Sequence, residues 1–313
     1  MAHRSGLAGP HARRGRAALA ASVVAALIAS PAPVAAEETD AEPPAVSIIS
    51  PAANLRVRGV VNVRAAATDN VGVTRVDVYA AGVLAGTRSA EPWTVPVDTT
   101  GRNGSVPIRV EAFDAAGNSA AATVSVIADH AGPIVDFVAP DSKAALTGFV
   151  NSVVQPTDPA GVAVAELYVS GQLVVRRTRW PWTGFVYLAG HTGAVQLQWQ
   201  LTDRLGNRTV VSRTVYADHV APTVRVTKGP RHTAQVRGTI PIVATASDAR
   251  GIRLVELVVN RVTVKIDTNA PHGFRLDTTR YNGRFTWRIR VTDRAGNVTI
   301  TPERIAYAAK WRR

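Results

Sequence analysis

One five-residue motif occurs three times in this 313-residue chain at almost equal spacing. The motif, Asp-x-x-Gly-Asn, begins at Asp114, Asp203 and Asp293, so the steps between copies are 89 and 90 residues. An earlier Asp-x-x-Gly turn keeps the same register at 69–72, 158–161 and 248–251. Solenoid repeats have periods of about 20–50 residues, so a period near 90 instead indicates a small domain that is repeated three times.

Hydrophobic and polar residues alternate inside each repeat. Just before the first Asp-x-x-Gly-Asn motif, apolar residues at 106, 108, 110 and 112 alternate with a proline and two charged residues, and the later repeats have a similar alternation. Such alternation places one set of side chains on a core face and the other toward water. No amphipathic helix pattern follows residue 40, and about seven short strands per repeat predict an all-β, two-sheet sandwich. Strands are predicted on either side of the first acidic turn, at 60–67, 150–154 and 240–246 before it and at 73–80, 162–169 and 252–259 after it.

The motifs resemble those of the bacterial immunoglobulin-like (Big-type) repeat family. That family has an Asp-x-x-Gly turn followed by valine or isoleucine, a Tyr-x-x-Gly segment, an aromatic-proline segment and a final Asp-x-x-Gly-Asn turn. The first repeat matches with 69–73, 79–82, 92–93 and 114–118, and the second repeat matches equally well. The third repeat departs from the pattern at Val258, Arg261 and His272. The resemblance implies three tandem immunoglobulin-like β-sandwich domains, in a family whose modules serve as spacers, adhesins or enzyme appendages.

The N-terminal residues are organised like an export signal. Four arginines and no acids precede an apolar run from Ala17 to Ala29, and small residues end at Ala36. The run is shorter than the roughly 20 residues of a membrane-spanning helix, so we expect cleavage near Ala36 and no transmembrane anchor in the mature form. The predicted organisation is a signal peptide at 1–36, an acidic proline-bearing spacer at 37–44, and domains at 45–129, 130–219 and 220–313. We therefore expect a secreted or cell-surface protein, periplasmic if the cell is Gram-negative.

The net charge of +13 is concentrated in the last repeat. Residues 1–44 and 45–129 are each neutral, 130–219 carry +1, and 220–313 carry +12. Arginines alternate along a predicted strand of this repeat and share one face, and further basic residues lie on or beside the neighbouring strand. If the two strands are adjacent, they form one basic patch, with the C-terminal residues as a tail. The predicted polyanion-binding residues are Arg253, Arg261, Lys265, Arg284, Arg288 and Arg290.

An exported basic patch is suited to anionic polymers. Teichoic acid, lipopolysaccharide phosphates, acidic polysaccharide and extracellular DNA are candidates, because arginine binds phosphate and carboxylate groups bidentately. The alternative is an arginine-rich surface that serves solubility only. Sequence-specific nucleic-acid binding is not expected, since no recognised module for it is present. Carbohydrate binding would use exposed aromatic residues, for which Trp180, Trp182 and Trp311 are the candidates.

The sequence offers little for catalysis or cofactors. No histidine lies in a recognised nucleophile motif, so we expect no enzymatic activity. The chain has no cysteine, which excludes disulfides and thiolate metal sites. No cofactor is expected apart from calcium, for which Asp129 and Asp218 at the repeat junctions are the candidates, because calcium prefers oxygen ligands. The alternative is that these acids only cap turns.

Charged residues on the predicted strands suggest two cross-strand ion pairs. We expect Asp77 to pair with Arg109 and Glu256 with Arg288, because the strands that carry them are neighbours in an immunoglobulin-like sandwich. The function that the sequence favours is that of an exported, non-catalytic repeat protein for adhesion or presentation at the cell envelope. Its partner would be an envelope polymer or another surface or secreted protein. The alternatives are a purely structural spacer, a carbohydrate-binding module, or an accessory protein to a secreted enzyme.

Overall fold

Strands dominate the part of the chain that the structure describes. The structure is a computed structural model that describes residues 39–309. The helical structure within this range is a single 3₁₀ turn, Thr278–Arg280. None of the described helical structure is long and apolar enough to cross a membrane. The predicted signal peptide at 1–36 lies outside the described residues, as do residues 37 and 38 of the spacer and the basic tail from residue 310.

The first sandwich contains a three-stranded and a five-stranded sheet. Its strands are β1 (Ala45–Ser50), β2 (Arg56–Val57), β3 (Val60–Thr68), β4 (Val73–Ala80), β5 (Val83–Arg88), β6 (Thr94–Asp98), β7 (Gly104–Asp114) and β8 (Ser119–Ala128). The sheet orders are β1-β3-β6 and β2-β8-β7-β4-β5, and only β2 and β8 pair in parallel. Val63 and Val95 of the smaller sheet share a buried cluster with Val78 and Ile108 of the larger sheet, so the two sheets pack face to face.

The second sandwich repeats this arrangement. Its strands are β9 (Ile134–Ala139), β10 (Ala145–Leu146), β11 (Phe149–Thr157), β12 (Val162–Val169), β13 (Gln172–Arg177), β14 (Thr183–Tyr187), β15 (Gly193–Asp203) and β16 (Arg208–Ala217). The sheet orders are β14-β11-β9 and β10-β16-β15-β12-β13. Its core is built around Leu167 and Trp199. The Trp199 indole donates to the Ser152 hydroxyl at 2.9 Å, which satisfies a polar group that would otherwise be buried without a partner.

The third sandwich differs from the others in its last strand. Its strands are β17 (Thr223–Lys228), β18 (Ala234–Val236), β19 (Thr239–Ser247), β20 (Ile252–Val259), β21 (Val262–Asp267), β22 (His272–Asp277), β23 (Gly283–Asp293), β24 (Val298–Ile300) and β25 (Arg304–Ala308). The sheet orders are β17-β19-β22 and β18-β25-β23-β20-β21, with β24 also paired to β23. Pro302 lies between β24 and β25 and has no N–H to donate, which explains why the strand is split here.

The strand predictions agree closely with the structure. β4, β12 and β20 have the predicted bounds. β3 is one residue longer than predicted at its C-terminal end, and β19 is one residue longer at each end. β11 extends three residues past the predicted end, through Gln155, Pro156 and Thr157, which resemble a turn in the sequence. These residues remain in the sheet because they pair with β9 across a register shift. The described residues thus contain three sheet pairs with three separate cores, and the predicted all-β fold of immunoglobulin-like sandwiches is confirmed.

The Asp-x-x-Gly-Asn motif forms the hairpin turn after the longest strand of each sandwich. In the first copy, the Asp114 carboxylate accepts from the backbone N–H of Gly117 at 2.7 Å and of Asn118 at 2.8 Å. Gly117 has φ +96°, a conformation that favours glycine. Burial opposes ionisation of Asp114, but the hydrogen bonds from Asn118 and Gly117 outweigh it and hold the pKa of this carboxyl below its ordinary value. The motif therefore has a structural role in each repeat.

Residues 41–309 lie in one compact unit that includes all three sandwiches. β8 ends at Ala128 and β9 begins at Ile134, while β16 ends at Ala217 and β17 begins at Thr223. The connections between sandwiches are therefore only a few residues long. The domain limits at 129/130 and 219/220 fall within these connections and stay predictions.

Candidate functional site

The outer face of the third sandwich's larger sheet carries three of the predicted basic residues. Arg284, Arg288 and Arg290 alternate along β23 with the core residues Phe285 and Trp287. The structure therefore places these three arginines on one face, on the side away from the core. Their surroundings differ, however, because the neighbouring strands supply a carboxylate to only one of them.

Arg290 forms a bidentate ion pair with Glu256, which corrects the predicted pairing of Glu256 with Arg288. Glu256 of β20 lies opposite Arg290, and Arg288 lies opposite Val258. The guanidinium donates through Nε to Oε2 and through Nη2 to Oε1, the latter at 2.6 Å. These hydrogen bonds from Arg290 hold the pKa of Glu256 below its ordinary value and raise the pKa of Arg290. Arg290 is thus neutralised within the sheet.

The first sandwich corrects the other predicted pair in the same way. Asp77 lies opposite Glu111 rather than Arg109, and its carboxylate binds Arg75 at 3.2 Å and the Thr87 hydroxyl at 2.7 Å. Arg109 binds Glu111 two residues further along the same strand, with both contacts at 2.7 Å. Asp77 is 7% exposed, so it is buried beneath these neighbours rather than open to solvent.

Arg288 has a different environment from the residues at its position in the other two repeats. Those residues are Arg109, which is paired with Glu111, and the neutral Gln198, which accepts from Gln200 at 3.3 Å. Arg288 forms no ion pair within the described residues, and its Nε is buried without a hydrogen-bond partner there. Arg288 is therefore a half-buried cation whose charge none of the described carboxylates balances.

The other predicted basic residues do not join this face. Arg253 lies near the N-terminal end of β20, where the pairing with β23 shifts register. Arg261 lies in the hairpin that follows the C-terminal end of β20 and has φ +69°. Lys265 lies opposite the core residue Leu257, so it points to the inner side of the sheet. The structure therefore divides the six predicted residues among several places.

A second basic group lies at the open edge of the same sandwich. Lys265 lines a small cleft of about 170 Å³ together with Arg275 and Arg280. Arg275 belongs to the smaller sheet, and Arg280 pairs with Asp277 at 3.5 Å. Arg275 and Arg280 were not predicted from the sequence, because alternation along one strand does not reveal where the edges of two sheets meet.

The smaller sheet of the second sandwich has an exposed aromatic face. Phe149 and Tyr187 lie opposite each other on neighbouring strands, with ring centroids 4.5 Å apart. Phe185 on β14 and Phe137 on β9 are also exposed. The equivalents of Phe185 in the first and third sandwiches are Pro96 and Arg275, and those of Tyr187 are Asp98 and Asp277. The aromatic face is thus specific to the second sandwich, and a comparison of outward positions between repeats would have found it.

The tryptophans named as carbohydrate candidates lie in different environments. Trp180 is 80% exposed and precedes β14, whereas Trp182 is partly buried and packs against the second core. Trp311 lies outside the described residues. Of the two that are described, only Trp180 offers an open ring surface.

The two calcium candidates occupy equivalent places at the ends of β8 and β16. Asp129 lies 3.5 Å from Arg56 of the same sandwich, whose strand β2 pairs with β8. Asp218 lies beside Asp248 and Asp293 at the next junction, where the three carboxylates approach within 4.8 Å of one another. At both junctions the asparagine of the next sandwich's motif reaches back to the connection, as Asn207 donates to the carbonyl of Asp129 and Asn297 to that of Asp218, each at 3.0 Å. The motif asparagine therefore also fixes neighbouring sandwiches to each other.

Comparison with solved structures finds similar arrangements in several proteins. Fibronectin(III)-like modules of Clostridium thermocellum CbhA are 20% identical, with a TM-score of 0.43, over 56% of this chain and 92% of that chain. A structure from a 1.5-MDa bacterial ice-binding adhesin is 18% identical, with a TM-score of 0.35, over 85% of this chain and 96% of that chain. The I9–I11 tandem of titin is 10% identical, with a TM-score of 0.37, over 84% and 98% of the two chains. No curated protein matches this chain.

Comparison with protein families gives a direct assignment. The family model described as a bacterial Ig domain matches residues 44–126 and 222–301, which together make up more than half of the chain. The matched segments coincide with the first and third sandwiches. The second sandwich has the same strand order and the same Asp-x-x-Gly-Asn turn. This protein therefore belongs to the bacterial Ig domain family.

Proposed function

We propose that this chain is a non-catalytic repeat module exported to the cell surface for adhesion or presentation, and that its third sandwich binds an anionic envelope polymer. The observation that carries the proposal is Arg288. It lies on the sandwich that holds almost all of the net charge, and no described carboxylate balances it. An immunoglobulin-like fold alone does not select among the uses of such modules, so the proposal rests on this surface.

The chemistry of Arg288 favours an anionic ligand. Its Nε is buried and has no hydrogen-bond partner among the described residues. The side chain is only half-buried, so a phosphate or carboxylate group can bind its solvent-accessible part and balance its charge. Arg284 lies four residues earlier on the same face and is exposed, so it adds a second cation for a polymer with repeated anionic groups.

Binding of the full chain to immobilised lipoteichoic acid, measured as the salt concentration that elutes the chain, tests this proposal. The variant Arg284→Ser with Arg288→Gln introduces the residues that the sister repeats carry there, Ser105 and Gln198, so the fold should tolerate both. We expect about tenfold weaker binding, because exposed ion pairs contribute up to about 1 kcal/mol each and 1.4 kcal/mol is a factor of ten.

The matched control removes the same charge from the first sandwich, as Arg102→Ser with Arg109→Gln. It should change retention little. Equal loss in both variants would mean that only net charge matters, and unchanged retention in the third-sandwich variant would refute a site at Arg284 and Arg288.

Carbohydrate binding by the second sandwich is a second candidate, supported by the exposed aromatic face. Contiguous exposed apolar surface is typical of interaction sites, and aromatic rings pack well against the C–H faces of sugars. Asn151 and Gln155 are exposed on the strand that carries Phe149, and their amides could bind sugar hydroxyls. A neutral glycan would fit here, because the second sandwich carries almost no net charge.

Affinity electrophoresis in gels that contain a neutral β-glucan or mannan tests this candidate. The variant Phe149→Thr with Tyr187→Asp introduces the residues of the third sandwich, Thr239 and Asp277. It should lose glycan retardation and keep its retention on lipoteichoic acid. If the unmodified chain is not retarded by either glycan, carbohydrate binding on this face is refuted.

A further inference from the structure

A cleft opens where the two sheets of the third sandwich meet at their edges. β21 is an outermost strand of the larger sheet and β22 is one of the smaller sheet, and the turn after β22 also lines the cleft. The volume of the cleft is about 170 Å³. Two strands and a turn therefore bring four charged residues to one small space, namely Lys265, Arg275, Asp277 and Arg280.

Positive charge dominates the lining of this cleft. Lys265 and Arg275 form no ion pair within the described residues, and Arg280 lies 3.5 Å from Asp277. Hydrogen bonds from Thr279 hold the pKa of Asp277 below its ordinary value, so this carboxylate is ionised at neutral pH. Three cations and one carboxylate leave the lining with a net charge of +2. A cleft lined by one sign of charge concentrates ions of the opposite sign.

Tyr281 adds an uncharged hydrogen-bond donor to the same cleft. Its ring stacks on Phe285 with the two centroids 4.9 Å apart, which fixes its position in the lining. Burial raises the pKa of Tyr281, so its hydroxyl stays protonated at neutral pH and can donate. Within the described residues this hydroxyl forms no hydrogen bond, since the bond that Tyr281 donates comes from its backbone N–H to the Thr278 carbonyl. The hydroxyl is therefore available to a ligand.

The three cations of the cleft are specific to the third sandwich. The repeat spacing of 90 and 89 residues relates Lys265, Arg275 and Arg280 to uncharged residues in the other sandwiches. These are Val175, Phe185 and Gly190 in the second sandwich and Gly86, Pro96 and Gly101 in the first. The fold does not require the three cations, because the sister sandwiches form the same strands without them. Their convergence on one cleft therefore points to a ligand.

We propose that this cleft binds the phosphate group of a phosphomonoester, such as a phosphorylated sugar. A phosphomonoester carries a charge of about −1.5 to −2 at pH 7 and has three free acceptor oxygens, which matches the net charge and the donors of the lining. A phosphodiester or a carboxylate carries a single negative charge and would leave one cation unbalanced. Lys265 offers a compact ammonium, while Arg275 and Arg280 can each donate two hydrogen bonds to phosphate oxygens.

The size and position of the cleft define the ligand further. Pockets that enclose whole small molecules measure roughly 300–1,000 Å³, so this smaller cleft holds the phosphate group and leaves the rest of the ligand outside. The site is separate from the face of Arg284 and Arg288, because those arginines lie on the outer face of β23 and Lys265 points to the inner side of its sheet. Binding of a phosphodiester polymer to that face and of a phosphomonoester to the cleft therefore succeed or fail independently.

Calorimetric titration of the full chain with glucose-6-phosphate tests this site. We expect saturable binding, and binding weaker by about tenfold or more in the variant Lys265→Gln with Arg275→Gln, because two charge-assisted contacts are lost. Both side chains are exposed, so the variant should unfold at the same Tm as the unmodified chain or a higher one. Tyr281→Phe keeps the stacking on Phe285 and removes the hydroxyl, so it should weaken binding severalfold.

The matched control, Arg284→Ser with Arg288→Gln, removes the same charge from the outer face and should bind glucose-6-phosphate as the unmodified chain does. Dimethyl phosphate, a diester, should bind more weakly, and so should inorganic phosphate, which lacks a sugar to contact the rim of the cleft. Absence of glucose-6-phosphate binding, or equal loss in both double variants, would overturn the site. Equal affinity for dimethyl phosphate would overturn the assignment to a monoester, and tighter binding of inorganic phosphate would overturn the assignment to a larger ligand.

Discussion

Replacing Arg290 by glutamine isolates the energetic contribution of one ion pair in the third sandwich. The second sandwich carries Gln200 at the equivalent position, so the outer face of the sheet accommodates this side chain. The substitution leaves Glu256, which is 7% exposed, without its guanidinium partner. The Thr263 hydroxyl continues to donate to Glu256 at 3.0 Å, so the carboxylate is not entirely unsatisfied.

The magnitude follows from the burial of the two partners. Exposed ion pairs contribute up to about 1 kcal/mol, and breaking a fully buried pair costs about 3–5 kcal/mol. The side chain of Arg290 is 41% exposed and that of Glu256 is 9% exposed, so this pair lies between the limits. Since Arg290 is partly screened by solvent and Thr263 remains, we expect a loss of about 2 kcal/mol in the free energy of unfolding of the third sandwich.

Amide hydrogen exchange measured by mass spectrometry resolves this loss within the full chain. A loss of about 2 kcal/mol corresponds to roughly 30-fold faster exchange in peptides from β20 and β23, whose amides exchange through unfolding of the sandwich. Peptides from β4 and β7 of the first sandwich act as an internal control and should exchange unchanged. The double variant Glu256→Gln with Arg290→Gln should recover part of the protection, because no buried carboxylate is left unpaired.

The pH dependence provides an independent check. The hydrogen bonds from Arg290 lower the pKa of Glu256 in the folded state, so the pair's contribution is fully present above the ordinary value of 4.5. It is lost as the pH falls through the lowered folded-state pKa. After correction for intrinsic exchange rates, the difference between Arg290→Gln and the unmodified chain should therefore shrink from pH 7 to pH 3. Less than threefold faster exchange at pH 7, or a difference that does not change with pH, would refute this reasoning.

Three further predictions concern the other sandwiches and their junction. Gly132→Ala should destabilise the contact between the first two sandwiches, because the added Cβ would lie 2.6 Å from the backbone carbonyl of Arg208. The variant should be cleaved faster by a protease in this connection, and an unchanged cleavage rate would contradict the prediction. Asp158→Asn should raise the Tm at pH 7, because burial and the carboxylates of Asp203 and Asp129 raise the pKa of Asp158, so that its ionisation lowers stability above that pKa. An unchanged Tm would contradict this. Trp199→Phe should cost about 2 kcal/mol by removing the hydrogen bond to Ser152 and some packing, and a denaturation midpoint within error of the original would count against it.

Local patterns explain why so much of the fold was predictable. The bounds of β4, β12 and β20 follow from alternation, because a strand with one buried face must repeat every two residues. The Asp-x-x-Gly-Asn turns follow from side-chain chemistry within five residues, since the Asp114 carboxylate accepts from the backbone N–H of Gly117 and of Asn118. The end of β11 was missed because Gln155 and Pro156 resemble a turn, while their pairing depends on a strand far away in sequence.

The candidate sites were only partly predictable, because alternation fixes the face of a residue but not its partner. A shift of two residues between β20 and β23 keeps every side chain on its face and changes which arginine meets Glu256. The predicted partner was Arg288, and the register between the strands selects Arg290. The same reasoning explains why Asp77 lies opposite Glu111 rather than Arg109.

The sequence by itself determined the repeat, the strand period, the turn chemistry and the concentration of charge in the last unit, because each depends on residues close together in the chain. Only the tertiary structure decided which cation remains unpaired, which aromatic rings share an exposed face, and which acids meet at a junction. Those outcomes depend on the register between strands and on the approach of separate sandwiches. Asp218 is the clearest case, since its neighbours Asp248 and Asp293 are 30 and 75 residues away in the sequence and within 4.8 Å in space.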